Sequence, residues 1–174
     1  DVPGTLISKE DESMEQAIIS GVAFTRDEAK LTVTGVKDVP GIAYRILGPV
    51  SDGNIEVDMI VQNTSADQTT DFTFTVQRDD YDRVMDILQK VVDDIEAGEV
   101  QGDAKIAKIS LVGVGMRSHA GVASKMFKVL SDESINIQMI STSEIKISVV
   151  VDEKYLELAV RALHSAFELN EEGA

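Results

Sequence analysis

Apolar positions along this chain follow the periods of strands and helices, and the same order of elements occurs twice. In the first half the pattern predicts a strand, a helix, two strands and a second helix, over residues 31–36, 42–50, 55–62, 70–77 and 84–91. The second half repeats that order over residues 109–114, 122–130, 135–141, 145–151 and 156–167. Each half therefore predicts the element order β-α-β-β-α.

The two halves are also related residue by residue. Residues 30–36 align with 108–114 at an offset of 78, and residues 41–60 align with 121–140 at an offset of 80. The second alignment contains these identical pairs: Gly41/Gly121, Ala43/Ala123, Ser51/Ser131, Asp52/Asp132, Ile55/Ile135, Met59/Met139 and Ile60/Ile140. A fixed offset with this many identities indicates two copies of one structural unit.

Each copy is one strand short of the ferredoxin-like βαββαβ unit. Residues 99–105 predict the closing strand of the first copy, and the apolar run at 17–24 is expected to close the sheet of the second. The alternative is a hairpin that pairs 17–24 with 30–36 across 25–29. The predicted fold class is α+β, with two ferredoxin-like domains, the second completed by an N-terminal strand. The predicted divisions are a polar lead-in, a strand given to the second domain, the first domain and the second domain, at 1–13, 14–26, 27–106 and 107–174.

Composition excludes several classes of function. With 16 basic and 31 acidic residues the net charge is −15, which argues against binding to nucleic acid or to an anionic membrane surface. The sequence has no Cys and only two His residues, so we expect no disulfide and no metal site. No apolar run approaches the length of about 18 residues that spans a membrane, and we expect a cytoplasmic protein.

Both copies place a glycine in the loop that leads into the first helix, at residues 37–43 and 116–123. The free N–H groups and partial positive charge at a helix start suit a small carboxylate, and Gly41 and Gly121 permit close approach of the backbone. Asp38 is a candidate acceptor for an ammonium group. The alternative interpretation is that Pro40 and Gly41 simply start a helix that Asp38 caps.

The sequence offers no catalytic constellation. The Gly-Val-Gly run at 113–115 has Ser118 where a dinucleotide-binding loop needs its third glycine, and no P-loop or Ser-His-Asp arrangement occurs. A binding module is therefore favoured over two alternatives. One is a small acylphosphatase-like hydrolase that uses Arg117, and the other is an RNA-binding sheet that presents Phe72 and Phe74, which the acidic charge disfavours.

Three segments of the first copy resemble the first ACT domain of aspartate kinases: Val39-Pro-Gly-Ile-Ala43, residues 54–63 and residues 70–75. In the second copy, residues 108–116, Ser118-His119 and Ile140-Ser-Thr-Ser-Glu-Ile145 resemble the second ACT domain. The likeness extends over residues 14–170 and implies the regulatory region, or a separately translated β subunit, of that family. Residues 27–106 and 107–174 would then be the two ACT domains, and residues 1–13 a linker from an upstream catalytic domain.

The resemblance also implies a function. The parent enzymes phosphorylate L-aspartate with ATP, and this part would bind L-threonine, L-lysine or both as feedback inhibitors between the ACT domains of two chains. No catalytic residue and no cofactor is expected in this chain, because ATP and Mg²⁺ belong to the catalytic domain. The expected partners are a second copy, through a homodimer of ACT domains, and the aspartokinase catalytic domain or subunit.

Site residues follow from the same resemblance. The first effector site would use Asp38, Gly41, Ile42, Ala43 and Gln62, with Asn136 and Ile137 of the partner chain. The pseudo-equivalent second site would use Met116, Ser118, His119, Gly121, Val122, Ala123, Thr142 and Glu144, facing Glu56, Val57 and Asp58. A lysine ammonium would suit Asp58 or Glu144, and threonine would suit Ala43 and Gln62.

Overall fold

The computed structural model describes residues 19–113 and 119–167, which form six strands and four helices. The strands are β1 (Ile19–Lys37), β2 (Val57–Thr64), β3 (Thr69–Gln77), β4 (Val100–Gly113), β5 (Met139–Thr142) and β6 (Lys146–Asp152). The helices are α1 (Ile42–Asp52), α2 (Tyr81–Ile95), α3 (His119–Asp132) and α4 (Leu156–Ala166), and single 3₁₀ turns at Arg78–Asp80 and Glu153–Tyr155 precede α2 and α4. The predicted order of elements is confirmed in both copies.

The chain divides into two compact units. The first unit contains Thr25–Lys108 and Val150–Lys154, and the second contains residues 19–24, 109–113, 119–149 and 155–167. Strands β1, β4 and β6 each contribute residues to both units. The hydrogen-bonded order of strands is β2-β3-β1-β4-β6-β5, in which β2 and β3 belong to the first unit alone and β5 to the second alone.

In the first unit, α1 and α2 cover one face of the sheet. β3 runs antiparallel to both neighbours, with Leu31 opposite Phe74 on one side and Gln62 opposite Phe72 on the other. Because side chains alternate between the faces of a strand, the odd positions of β1 and the even positions of β3 point toward the helices. These strand side chains pack against the helices in one core, whose fully or almost fully buried members include Leu31, Val33, Phe72, Phe74, Ile46, Val50, Val84 and Leu88.

In the second unit the same alternation and helical spacing bury an equivalent aliphatic set. Strands β4 and β6 contribute one group of buried side chains, and helices α3 and α4 contribute the other: Ile109, Leu111, Ile147, Val149, Val122, Met126, Leu130 and Leu163. Burial of a Leu, Ile or Val side chain contributes about 1.5–3 kcal/mol, so aliphatic packing is the main source of stability in both units. The predicted fold class, α+β with two ferredoxin-like ACT repeats, is confirmed.

Two expectations about the strands are wrong, the alternative hairpin and the separation of two predicted strands. The hairpin of 17–24 with 30–36 does not form, because β1 continues through residues 25–29 and pairs Glu28 with Gln77. The runs at 99–105 and 109–114 are not separate strands either, because Ile106 and Ala107 are fully buried inside the continuous β4. The lead-in at 1–13, and residues 14–18 of the segment predicted to join the second domain, lie outside the described residues.

Candidate functional site

The loop between β1 and α1 ends in a glycine with a left-handed backbone. Gly41 is the N-cap of α1, with φ +86° and ψ −3°, and no side chain caps this helix start. Space around the position of a Cβ at Gly41 is open. The interpretation that Asp38 caps the helix is therefore wrong, since the chain turns into α1 through the backbone of Gly41. An uncapped and open helix start is suited to a small anion.

The backbone holds this loop in place. Asp38 N–H donates to the Gln68 carbonyl oxygen at 3.1 Å, and Ile42 N–H donates to the Val39 carbonyl oxygen at 3.2 Å. Just before the loop, Gly35 N–H donates to the Asp71 carboxylate at 3.2 Å. The side chain of Asp38 stays exposed. The loop is therefore fixed to the β2–β3 turn while its one carboxylate faces solvent.

Gln62 lies on the same face and at the same end of the sheet as the start of α1. Its cross-strand neighbour is Phe72, whose ring is buried under the helices, and directly opposed residues share a face. Because β2 is the edge strand of the first unit, the Gln62 side chain is exposed. Ala43 is half-buried, and the Ile42 side chain is buried in the core, so Ile42 offers no side chain to a ligand at this loop.

The two residues expected from a partner chain line an open depression in the second unit. Asn136 and Ile137 follow α3 and border a cavity of about 420 Å³ with Phe127, Ser131, Ser134 and Ile135. Asn136 is exposed and Ile137 is half-buried. The lining of this open depression combines apolar side chains with the Asn136 amide and two serine hydroxyls.

The second predicted site is described only in part. Met116 and Ser118 lie outside the described residues, and His119 is described only as the first residue of α3. Gly121 is exposed, Ala123 is half-buried and Val122 is in the core. Thr142 ends β5, and Glu144 is exposed in the turn that follows. Gly113 N–H donates to the Ile145 carbonyl oxygen at 2.8 Å, so this turn lies beside the end of β4, where the loop toward α3 begins.

Of the three residues expected to face the second site, Asp58 has a defined partner. Glu56 is exposed, Val57 is half-buried at the start of β2, and the Asp58 carboxylate accepts a hydrogen bond from Lys108 Nζ. Lys108 Nζ also lies 3.6 Å from Glu28 Oε1. Sequence reasoning missed Glu28 and Lys108. A signal was present, because Glu28 and Lys30 alternate with the buried Ala29 and Leu31 and so continue the strand pattern. The polar run at 25–28 obscured it by resembling a turn.

The carboxyl group of Glu28 is buried, and burial together with the Asp58 carboxylate raises its pKa to about 7, against the opposing effect of Lys108. Burial alone would lower the pKa of Lys108, but its contacts with Asp58 and Glu28 raise the pKa of that ammonium above its usual value. The Glu28 Oε2 atom has no hydrogen-bond partner among the described residues. This cluster is the most strongly perturbed set of titratable groups in the described chain.

The structure removes support from the RNA-binding alternative. Phe72 and Phe74 are buried under α1 and α2, with ring centroids 6.1 Å apart, so they cannot serve as an exposed platform for stacking bases. Arg117, the residue that the hydrolase alternative needs, lies outside the described residues. Within residues 19–113 and 119–167, no group of three or more His, Asp or Glu side chains is arranged to hold a metal ion, and no helix is long and apolar enough to cross a membrane.

Comparison with known proteins agrees with the repeat. The ACT domain family model matches residues 31–92 and 109–167. Aspartate kinase of Pseudomonas fluorescens (strain SBW25) is 72% identical over 169 residues, which are 97% of this chain and 41% of the relative. Aspartokinase of Corynebacterium glutamicum (strain ATCC 13032) is 46% identical over 174 residues and is also matched over 41% of its length. The chain thus spans about two fifths of the curated relatives that it matches.

Solved structures match the chain over nearly their whole length. A chain from the crystal structure of aspartokinase alpha and beta subunits is 57% identical, with a TM-score of 0.81, over 86% of this chain and 99% of that one. The ligand-free regulatory subunit of aspartate kinase from Thermus thermophilus is 37% identical, with a TM-score of 0.81 and the same coverage. The chain belongs to the ACT domain family and is a regulatory region of an aspartokinase.

Proposed function

We propose that this regulatory region is an amino-acid sensor, which binds L-threonine, L-lysine or both and thereby inhibits the aspartate kinase of which it is part. The observation that carries the proposal is the uncapped start of α1 at Gly41, on the face and end of the sheet where Gln62 is exposed. The N–H groups of α1 would bind the carboxylate of the amino acid, and the Asp38 carboxylate would bind its ammonium group. The Gln62 amide would then select a polar side chain.

The second site would take its selectivity from acidic groups. Glu144, exposed beside the end of β4, and Glu56 and Asp58 of another chain would suit the terminal ammonium of lysine. The first site has a small Ala43 and a neutral amide instead, which suit threonine. Each ligand would thus meet a carboxylate-binding loop of the same type and a different set of side-chain contacts.

A homodimer would complete these sites. Strands β2 and β5 are the edges of the sheet order, and each exposes an isoleucine at the same repeat position, Ile60 at 51% and Ile140 at 46% exposure. An exposed apolar side chain on an unpaired edge strand is a common site of strand pairing between chains. Pairing through the ACT domains would bring Asn136 and Ile137 of one chain to the Gly41 loop of the other.

Inhibition would follow from a difference in affinity between two arrangements of the domains. An effector that binds one arrangement more tightly shifts the population toward it, and coupling energies of about 1–3 kcal/mol are typical. The catalytic domain, with its ATP and Mg²⁺, would perform the phosphorylation of L-aspartate in the whole enzyme, in the cytoplasm. The division into a linker at 1–13, a strand given to the second domain at 14–26, and ACT domains at 27–106 and 107–174 remains a prediction.

Calorimetric titration of this chain with L-threonine and with L-lysine, singly and together, tests the proposal. Gln62→Ala is expected to weaken L-threonine binding at least tenfold, because it removes an exposed hydrogen-bonding group from the first site. Gln89→Ala is the matched control, since Gln89 is exposed on α2 and its side-chain contact is with Met85. Equal affinity of wild type and Gln62→Ala would exclude the first site, and no binding of either amino acid by the folded dimer would exclude the proposed function for this chain.

A further inference from the structure

The most buried carboxylate of the first unit lies in a cluster that joins three strands. Glu28 on β1 is 6% exposed, Asp58 is on the edge strand β2, and Lys108 is on β4. Ala29 and Val57 each lie opposite the core residue Val76, so they face α1 and α2. Glu28 and Asp58 are their chain neighbours and therefore lie on the other face of the sheet. One lysine therefore serves two carboxylates, of which Glu28 is buried and Asp58 is exposed.

The position of Asp58 depends on an irregularity in β2. The pairing of β2 with β3 shifts register between Val57 and Ile60, and Met59 N–H donates to the Thr75 hydroxyl at 3.0 Å instead of a backbone carbonyl. Bulges of this kind change the direction in which a side chain points. The bulge directs Asp58 toward Lys108, so the ion pair between them holds the irregular part of the edge strand against the sheet.

The charges of the cluster do not balance when all three groups are ionised. Two carboxylates and one ammonium would leave one net negative charge, and the Glu28 side chain is only 8% exposed. Burial of an uncompensated charge is costly, and a proton on the most buried carboxyl removes that charge. The charged groups that face Glu28 are Asp58 from β2 and Lys108 from β4, while β3 places the neutral Gln77 opposite it.

We propose that Glu28, Asp58 and Lys108 form a proton-binding site that controls how firmly the edge strand β2 is held. With Glu28 protonated, Lys108 pairs with Asp58 alone and β2 is held most tightly. With Glu28 ionised, the two carboxylates share the ammonium and the hold on Asp58 weakens. The titration occurs near neutral pH, because burial and Asp58 together raise the pKa of Glu28 to about 7. A change of cytoplasmic pH would thus alter the strand that carries Gln62, whatever ligand the protein binds.

The direction of the pH effect follows from linkage. The folded state holds the Glu28 proton up to a higher pH than the unfolded chain, in which the pKa is near 4.5. Stability from this group is therefore fully present below about pH 4.5 and is lost as pH rises toward 7. Between these two pH values the folded state binds up to one proton more than the unfolded chain. The unfolding equilibrium constant therefore rises by as much as tenfold for each pH unit in that range.

The test compares unfolding of wild type and Glu28→Gln in denaturant between pH 5 and pH 8.5. Glutamine keeps the shape of the protonated carboxyl and cannot ionise, so the advantage of Glu28→Gln over wild type is expected to be small near pH 5 and to reach its full size near pH 8. Glu133→Gln, at an exposed turn position in the second unit, is the matched control and is expected to follow wild type throughout. An identical pH profile for wild type and Glu28→Gln would overturn the proposal.

Carboxyl NMR of the folded protein keeps the test independent of unfolding. The Glu28 resonance is expected to titrate near pH 7, and Asp58→Asn is expected to lower its midpoint because a neighbouring negative charge is removed. A Glu28 midpoint near 4.5 in wild type would contradict the proposal directly. A raised midpoint that Asp58→Asn leaves unchanged would show that burial alone is responsible, and would remove Asp58 from the site.

Discussion

The two copies of the repeat agree at the centre of the sheet. In the first copy the hydroxyls of Thr32 and Thr73 lie 2.9 Å apart across neighbouring strands, and in the second copy Ser110 and Ser148 pair in the same way at 2.6 Å. Thr32 and Ser110 are related by the repeat offset of 78. A cross-strand pair of hydroxyls thus occurs in both copies on the face of the sheet opposite the aliphatic core.

The copies differ at the rim that carries the predicted sites. In the first copy, Gly35 N–H donates to the Asp71 carboxylate, and Gln68 in the four-residue turn 65–68 accepts a hydrogen bond from Asp38 N–H. In the second copy, Gly113 N–H donates to the Ile145 carbonyl oxygen in a turn of three residues, 143–145. Because the two copies share the central strands and differ in the loops and turns at this end of the sheet, the two predicted sites can differ in selectivity without a change of fold.

Two repeat-equivalent lysines show how far the environments have diverged. Lys30 and Lys108 are separated by the offset of 78, yet burial lowers the pKa of Lys30, which Asp103 only partly offsets. The pKa of Lys108 is raised despite burial, because Asp58 and Glu28 both contact it. The repeat equivalent of Asp58 is Gln138, at the offset of 80, so the acidic partner occurs in one copy alone. The charge cluster is therefore specific to the first unit.

Replacing each of these lysines by methionine gives the largest expected contrast. Lys108→Met leaves two carboxylates without their cation, and loss of one partner from a buried ion pair costs about 3 kcal/mol or more. We expect that loss in the free energy of unfolding at pH 8 and a smaller one at pH 5, where Glu28 is protonated. Lys30→Met is expected to change stability by less than ~1 kcal/mol, because it removes a charge that burial already penalises. Urea unfolding at both pH values measures the difference, and equal losses for the two variants would contradict it.

The hydroxyl pairs give an intermediate effect. Ser110→Ala leaves the Ser148 hydroxyl buried without its partner, and an unsatisfied buried hydroxyl costs about 1–3 kcal/mol. The double variant Ser110→Ala/Ser148→Ala removes both polar groups and is expected to recover part of that loss. Thr32→Val is expected to cost less, because its pair is only partly buried and solvent can satisfy the Thr73 hydroxyl. Chemical denaturation measures these free energies of unfolding. Equal losses for Thr32→Val and Ser110→Ala would contradict the prediction that burial makes the Ser110–Ser148 pair the more costly one to break.

The smallest contrast concerns backbone conformation at the first loop. Gly41→Ala places a Cβ in open space but forces a left-handed backbone on alanine, which costs about 1–2 kcal/mol. Gly21→Ala also meets open space, at a position in β1 where the backbone is not left-handed, and is expected to leave stability unchanged or slightly raised. Thermal unfolding of both variants checks this. A loss at Gly21 as large as that at Gly41 would show that φ is not the cause.

Sequence predicted what local patterns encode. The order of elements, the two copies and the loop at Gly41 follow from apolar spacing and glycine placement, and the structure has them. The polar run Thr25-Arg-Asp-Glu28 was misleading as a turn, because distant groups satisfy it inside the strand: Arg78 bonds the Arg26 carbonyl oxygen at 2.6 Å, and Lys108 neutralises Glu28. The alternatives in which Asp38 caps α1 and Phe72 and Phe74 are exposed are wrong for a similar reason. The backbone conformation of a loop and the face on which a strand residue lies both depend on the assembled sheet.

The predicted site residues show the same limit. Gly41, Asp38 and Gln62 were predicted as one site from loop chemistry and the resemblance, and the register places Gln62 opposite Phe72, on the face that α1 and α2 cover. Asn136 and Ile137 were assigned to a partner chain, which no pattern within one sequence can locate. Glu28 and Lys108 were missed because 80 residues separate them, and their contact depends on the bulge in β2 and on the order of strands.

The most direct test of the sensor is an NMR titration of the isotope-labelled chain with L-threonine, in which the backbone amides of the Gly41 loop are followed. We expect saturable shifts at Gly41 and Ala43 and at the Gln62 side-chain amide, together with slower tumbling as the dimer is stabilised. Exposed amides on the outer face of α2, such as Gln89, are expected to stay unchanged. Saturable binding that leaves the Gly41 loop and Gln62 unperturbed would contradict the account, because it would place the ligand somewhere other than the open start of α1.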